Sequence, residues 1–166
     1  MDNNQYAQTG RRMFIITWLL LFALLFIFFY FHSQSDKGRV ESHPGKVIIK
    51  ADAQGHYRID GAIDGQPVHF IIDTGATLLA IPEKVARDLN LIGRYPIRMQ
   101  TAKGTVEGSL TRVNKLSFGN FTLHNVKAVI ILGAEDDMLL MGMNVLSHFS
   151  LTQTNKTLVI KKSDEQ

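Results

Sequence analysis

The chain has 166 residues, with 18 Lys and Arg against 15 Asp and Glu, a formal net charge of +3 and no cysteine. The absence of cysteine excludes a disulfide framework and a thiolate metal site. So small a charge, carried on scattered cations, argues against a nucleic-acid groove.

Residues 2–10 are polar and aperiodic, and with Arg11-Arg12 they read as a short tail, residues 1–12. Met13 to Phe31 is an uninterrupted apolar run with Thr17 and Tyr30 as its only hydroxyls. At a helical rise of ~1.5 Å per residue it spans about 28 Å, which predicts a single transmembrane helix over 13–31. It is long for the apolar core of a secretory signal and lacks a small-x-small cleavage site, so an uncleaved anchor is expected. Arg11 and Arg12 abut the run, which places the tail in the cytoplasm and the remainder outside it. Residues 32–45, polar with two glycines and Pro44, read as a linker, leaving 46–166 for one domain of ordinary size.

That domain reads as mostly strands. Lys46–Lys50 is a short β-branched run, and His56–Ile63 and Gln66–Ile72 flank Asp64-Gly65, a hairpin turn that makes the two antiparallel. Another strand is predicted over Ala76–Ile81. A helix follows from Pro82 to Leu91, with proline at its first position, Glu83 near its positive end and Val85, Ala86 and Leu89 as its apolar stripe. Tyr95–Thr101 and Thr105–Leu110, separated by Ala102-Lys103-Gly104, predict a projecting hairpin. Leu110–Leu116, Phe121–Leu123 and Val126–Leu132 continue the sheet, the last as a buried strand. Gly133–Asp137 reads as a solvated acidic loop, because its spacing lacks the alternating ligands of a calcium loop. Met138–Gly142 is a further apolar run, followed by a short helix over Met143–Phe149 and a final strand over Thr157–Lys161. The two terminal strands are expected to pair across an interface between chains, since unpaired β-branched edges are a liability.

Asp73-Thr74-Gly75 lies between two strand-like runs. It delivers a carboxylate at the end of an apolar strand, with a glycine that permits a tight reversal and a hydroxyl that can tie down the loop. By itself the triplet is also a common turn. Two carboxylates placed close together share one proton, so that one can act as acid and the other as base. Asp52, Asp60, Asp64, Asp88, Asp136 and Asp137 lack the apolar strand and glycine that frame Asp73, so one such carboxylate per chain requires a symmetric pair of chains.

Three stretches in order, Ile71–Thr77, Met99–Gly104 and Leu139–Leu146, resemble the signatures of retropepsin-like aspartic proteases, most closely the bacterial membrane-anchored type. The resemblance covers Tyr57 to Ile160. It implies an all-β, closed acid-protease barrel with one or two short helices, preceded by the transmembrane helix and exposed to the periplasm from the inner membrane. It further implies an aspartic endopeptidase with no cofactor and no metal, in which Asp73, Thr74 and Gly75 of each chain of a homodimer form the catalytic loops. Ala76, Thr77, Leu78, Ile81, Met99, Gln100, Thr101, Ala102, Lys103 and Gly104 would then contact a peptide, with Leu140, Met141 and Gly142 packed behind the loop. Thr77 stands where viral relatives carry a substrate-gripping aspartate, and Met141 where leucine is usual. The alternative reading is a tethered domain of the same fold that binds peptides or assembles with partners without cleaving.

Overall fold

The computed structural model describes residues 3–34, 38–101 and 104–163. The chain divides into two compact units, Met1–Lys37 and Gly38–Gln166. The first contains one helix, α1 (Asn3–Gln34), whose side chains from Met13 to Phe29 are exposed. Helix formation does not stop at the borders of the apolar run. It takes in Asn3 to Arg12 on one side and His32, Ser33 and Gln34 on the other. Among the described residues no helix is long and apolar enough to cross a membrane, which corrects the transmembrane helix expected over 13–31.

Among the described residues the second unit holds eleven strands and two short helices. The strands are β1 (Val40–His43), β2 (Lys46–Lys50), β3 (Arg58–Ile63), β4 (Gln66–Ile72), β5 (Leu79–Pro82), β6 (Tyr95–Thr101), β7 (Gly104–Phe118), β8 (Phe121–Ile131), β9 (Met138–Met141), β10 (Phe149–Thr154) and β11 (Thr157–Lys162). The helices are α2 (Glu83–Asp88) and α3 (Met143–Leu146). They form a four-stranded sheet in the order β1-β2-β11-β10 and a seven-stranded sheet in the order β3-β4-β9-β5-β8-β7-β6.

The expected closed barrel is therefore corrected to open sheets. Closure requires every strand to have two neighbours. In the larger sheet β6 has β7 alone beside it, and β1 and β10 are the free edges of the smaller one. A short ladder of Gly61–Ile63 on Leu116–Phe118 draws β3 toward β7 without bringing β6 into a ring. Gly61 is required there, because a Cβ would lie 2.2 Å from the Ser117 carbonyl oxygen.

Local chemistry sets the registers. Asp64 (φ 50°) and Gly65 (φ 88°) occupy the two left-handed positions of the β3–β4 turn, which fixes Ile63 opposite Gln66. Pro44-Gly45 turns β1 into β2, with Gly45 at φ 69°. Because β1 lies inside the stretch read as a linker, that stretch is ordered at least from Val40 to His43. The runs expected as β2 and β11 pair with each other within one chain, Val47 opposite Ile160 and Ile49 opposite Leu158, not across an interface.

The core gathers Phe70, Leu79, Ile81, Leu116, Leu139, Met141, Val145 and Leu146 between these elements. Phe118, Phe121 and Phe149 stack with centroids 4.7 to 5.5 Å apart, which fastens the start of β10 to the β7–β8 turn. Phe149 thereby enters a strand, and α3 stops at Leu146 instead of running on as the sequence predicts.

Candidate active site

β9 runs parallel to β4 and antiparallel to β5, lying between them. The chain leaving β4 must therefore loop past the end of β9 before it enters β5, and Asp73 begins that loop. The Ile72 amide donates to Tyr57 O at 2.9 Å and the Asp73 amide to Met141 O at 3.1 Å, so the strand is held up to the aspartate itself. Asp73 is half-buried, with Thr74 and Gly75 exposed beside it. The Gly75 amide donates to Asp73 Oδ1 at 2.8 Å and the Ala76 amide to Asp73 O at 3.2 Å. One carboxylate oxygen is thus fixed by its own loop, while Oδ2 takes no hydrogen bond from any described residue.

The loop is clamped from behind by α3. The first amides of a helix have no partner within it, and here the Met143 and Asn144 amides donate to Ala76 O and Thr77 O at 2.8 and 3.1 Å. The Asn144 side chain continues the clamp. Its Oδ1 accepts from the Leu79 amide at 2.9 Å and its Nδ2 donates to Lys127 O at 2.8 Å, joining β5 to β8. Gly142 makes the approach possible, since a Cβ there would lie 2.4 Å from Leu78 O and 2.7 Å from Ala76 O.

The residues singled out from the sequence fall into distinct settings. Ala76 and Leu78 are half-buried in the loop and Thr77 is exposed, whereas Ile81 is fully buried in β5 and belongs to the core. Leu140 is half-buried, and Met141 and Gly142 are buried behind the loop. Met99, Gln100 and Thr101 end β6, paired in register with Val106, Thr105 and Gly104 of β7, so the hairpin of the sequence reading is present. Ala102 and Lys103 lie outside the described residues. Gly104 has φ 114°, a conformation side chains disfavour, and its carbonyl accepts from Thr101 Oγ1 at 2.8 Å. Two open cavities, of about 300 and 430 Å³, lie elsewhere and neither includes Asp73.

Other aspartates are committed to other partners. Asp60 faces His69 at 2.6 Å, Asp64 accepts from the Lys115 amide at 2.7 Å, and Asp137 pairs with Lys84. Asp52, which reads from the sequence as an ordinary turn residue, is buried, with a side chain only 2% exposed. Burial pushes its carboxyl up. The His56 amide, the Arg58 guanidinium at 2.8 Å and the Gln54 amide outweigh this and hold it below its ordinary value of 3.8. Asn144 is the other residue whose role the sequence reading missed. An amide set within the apolar run Leu139–Leu146 was the available signal, because a polar group there needs partners.

The family model for gag-polyprotein putative aspartyl protease matches residues 59–148. Among curated proteins, the chain is 29% identical over 120 residues to the uncharacterized protein RP867 of Rickettsia prowazekii (strain Madrid E), covering 70% of this chain and 51% of that one. It is 27% identical over 115 residues to an uncharacterized protein in the cobV 5′ region of Sinorhizobium sp, covering 65% of this chain and 48% of that one. The chain thus spans about half the length of the curated relatives it matches. Among solved structures, the crystal structure of a retropepsin-like aspartic protease from Rickettsia conorii superposes with a TM-score of 0.59 at 24% identity, covering 76% of this chain and 95% of that one, a likeness of fold.

Proposed function

Because the chain belongs to the gag-polyprotein putative aspartyl protease family, we propose that it is an aspartic endopeptidase whose catalytic pair is Asp73 from each of two chains. The observation that carries this reading is the setting of Asp73. It is a half-buried carboxylate at the end of an apolar strand, with one oxygen held at 2.8 Å by the Gly75 amide and its loop braced by α3. A lone carboxylate cannot be acid and base at once, and Asp52, Asp60, Asp64 and Asp137 are occupied. A two-fold axis beside the loop supplies the second from an identical chain.

In such a pair the two carboxylates share one proton, the known behaviour of aspartic-protease dyads. The ionised Asp73 takes a proton from water, whose oxygen attacks the scissile carbonyl carbon. The protonated Asp73 gives its proton to the carbonyl oxygen, and collapse of the tetrahedral intermediate with protonation of the amide nitrogen breaks the C–N bond. Thr74 and Gly75 hold the two loops together at the axis. The ends of β6 and β7, Met99 to Thr101 and Gly104, cover an extended peptide and offer it backbone hydrogen bonds. Ala76, Thr77 and Leu78 line the floor, and with Thr77 in place of a gripping carboxylate the peptide backbone is held more loosely there or by other groups.

The test is Asp73→Asn in the full chain. Peptide cleavage should vanish while sedimentation shows the same dimer, and specific activity of the unsubstituted protein should rise with concentration as the pair forms. Its pH profile should be bell-shaped, with apparent values belonging to the pair. Undiminished cleavage by Asp73→Asn, or full specific activity in a strictly monomeric species, overturns the assignment.

A further inference from the structure

A second group of polar side chains gathers around Lys127, whose carbonyl accepts from Asn144 Nδ2. In the β7–β8 ladder Arg112 stands directly opposite Lys127. Like charges in that arrangement repel and cost stability. Both side chains are exposed, and neither forms an ion pair with a described carboxylate, whereas Arg58, Lys84, Arg87 and Arg98 each do. The fold therefore keeps a repulsion that a nearby Asp or Glu would have relieved.

The strand geometry adds to this positive concentration. Asn125 has φ 54° and falls out of the ladder between the Val113–Val126 and Lys115–His124 pairs. The register is the same on both sides of this gap, so no residue is inserted and the left-handed backbone at Asn125 interrupts the ladder without a bulge. His124 and Asn125 line the same cavity as Arg112 and Lys127. Arg112 Nη1 is oriented by hydrogen bonds to Asn125 O at 3.1 Å and Asn125 Oδ1 at 3.0 Å, leaving the remainder of its fork available. His148, two residues beyond the end of α3, and Asn144 complete the polar lining, and no described Asp or Glu lines the cavity.

We infer that this cavity binds a small molecule through its phosphate group. A guanidinium held in one orientation suits the planar, bidentate recognition of an oxyanion, a lysine supplies a point charge, and the imidazoles and amides supply further donors. A bound phosphate neutralises the Arg112–Lys127 repulsion. The cavity, of about 300 Å³, is open to solvent and leaves room for a compact organic part beside the phosphate. The site is separate from Asp73 and does not depend on peptide cleavage.

Calorimetric titration of the full chain with inorganic phosphate, pyrophosphate and glucose 6-phosphate, at constant ionic strength against sodium chloride, tests the proposal. Saturable binding of at least one phosphate compound is expected, weakened about tenfold or more by Lys127→Gln, the loss of one charge-assisted hydrogen bond. In the unsubstituted chain the imidazole resonances of His124 and His148 should shift on titration, with those of His43, His56 and His69 unmoved. Absence of binding beyond the chloride control, equal affinity in Lys127→Gln, or shifts confined to the other histidines overturns the assignment. The resonance experiment decides the matter even if the variant does not fold.

Discussion

Replacing Asn144 with alanine removes the amide that joins three segments of the site without touching the carboxylate. Two hydrogen bonds are lost, from the Leu79 amide at 2.9 Å and to Lys127 O at 2.8 Å. They are not equivalent. Leu79 is fully buried, so its N–H is left without an acceptor and without water, a loss of about 1–3 kcal/mol. Lys127 is exposed and its carbonyl can turn to solvent, which limits that loss to about 0.5–1 kcal/mol. The sum, about 1.5–4 kcal/mol, is a substantial part of the 5–15 kcal/mol typical of a folded domain. Urea unfolding followed by circular dichroism should show the midpoint fall with an unchanged slope, and the thermal midpoint should drop by on the order of 10 °C. Asn144→Asp keeps the acceptor for Leu79 but aims a carboxylate at Lys127 O, so it should not restore full stability. A loss under about 0.5 kcal/mol for Asn144→Ala would show that the clamp is ornamental, and the account of how the Asp73 loop is held would fail.

Gly142→Ala places a methyl group 2.4 Å from Leu78 O and 2.7 Å from Ala76 O, both backbone atoms, so the loop must move. We expect a loss of about 1–3 kcal/mol in denaturant unfolding, and cleavage activity reduced further than stability accounts for. Asp52→Asn tests the buried ion pair through pH. The folded carboxyl is held below 3.8, so its ionised form stabilises the fold above the unfolded value and that contribution is lost as pH falls through the depressed folded value. Unfolding midpoints between pH 7 and pH 3 should therefore fall less steeply on acidification in Asp52→Asn than in the unsubstituted protein, which also starts from higher stability at pH 7. Parallel pH curves for the two proteins would refute the role given to Arg58 and the two amides.

What a chain can specify locally, this one specifies in its sequence. Asp64-Gly65 demands two left-handed residues and so fixes the β3–β4 register, and Tyr95–Thr101 with its partner run defines the β6–β7 hairpin by alternation and turn alone. The framing of Asp73 between an apolar strand and a glycine is equally local, and the order of three motifs carried the family. Other features depend on residues far apart in the chain. That Asn144 reaches Leu79, 65 residues earlier, follows only from β9 lying between β4 and β5. The partner of β2 is β11 of the same chain, because a β-branched edge records that it needs a neighbour but not which one. Open sheets and a closed barrel share the same alternating pattern, so closure is decided by whether the last strand finds a second partner, and β6 does not. A continuous apolar run likewise fixes a helix but not its ends, which in α1 extend well into polar sequence. Periodicity reports which face of an element is buried; which element covers it is settled only when the chain folds back on itself.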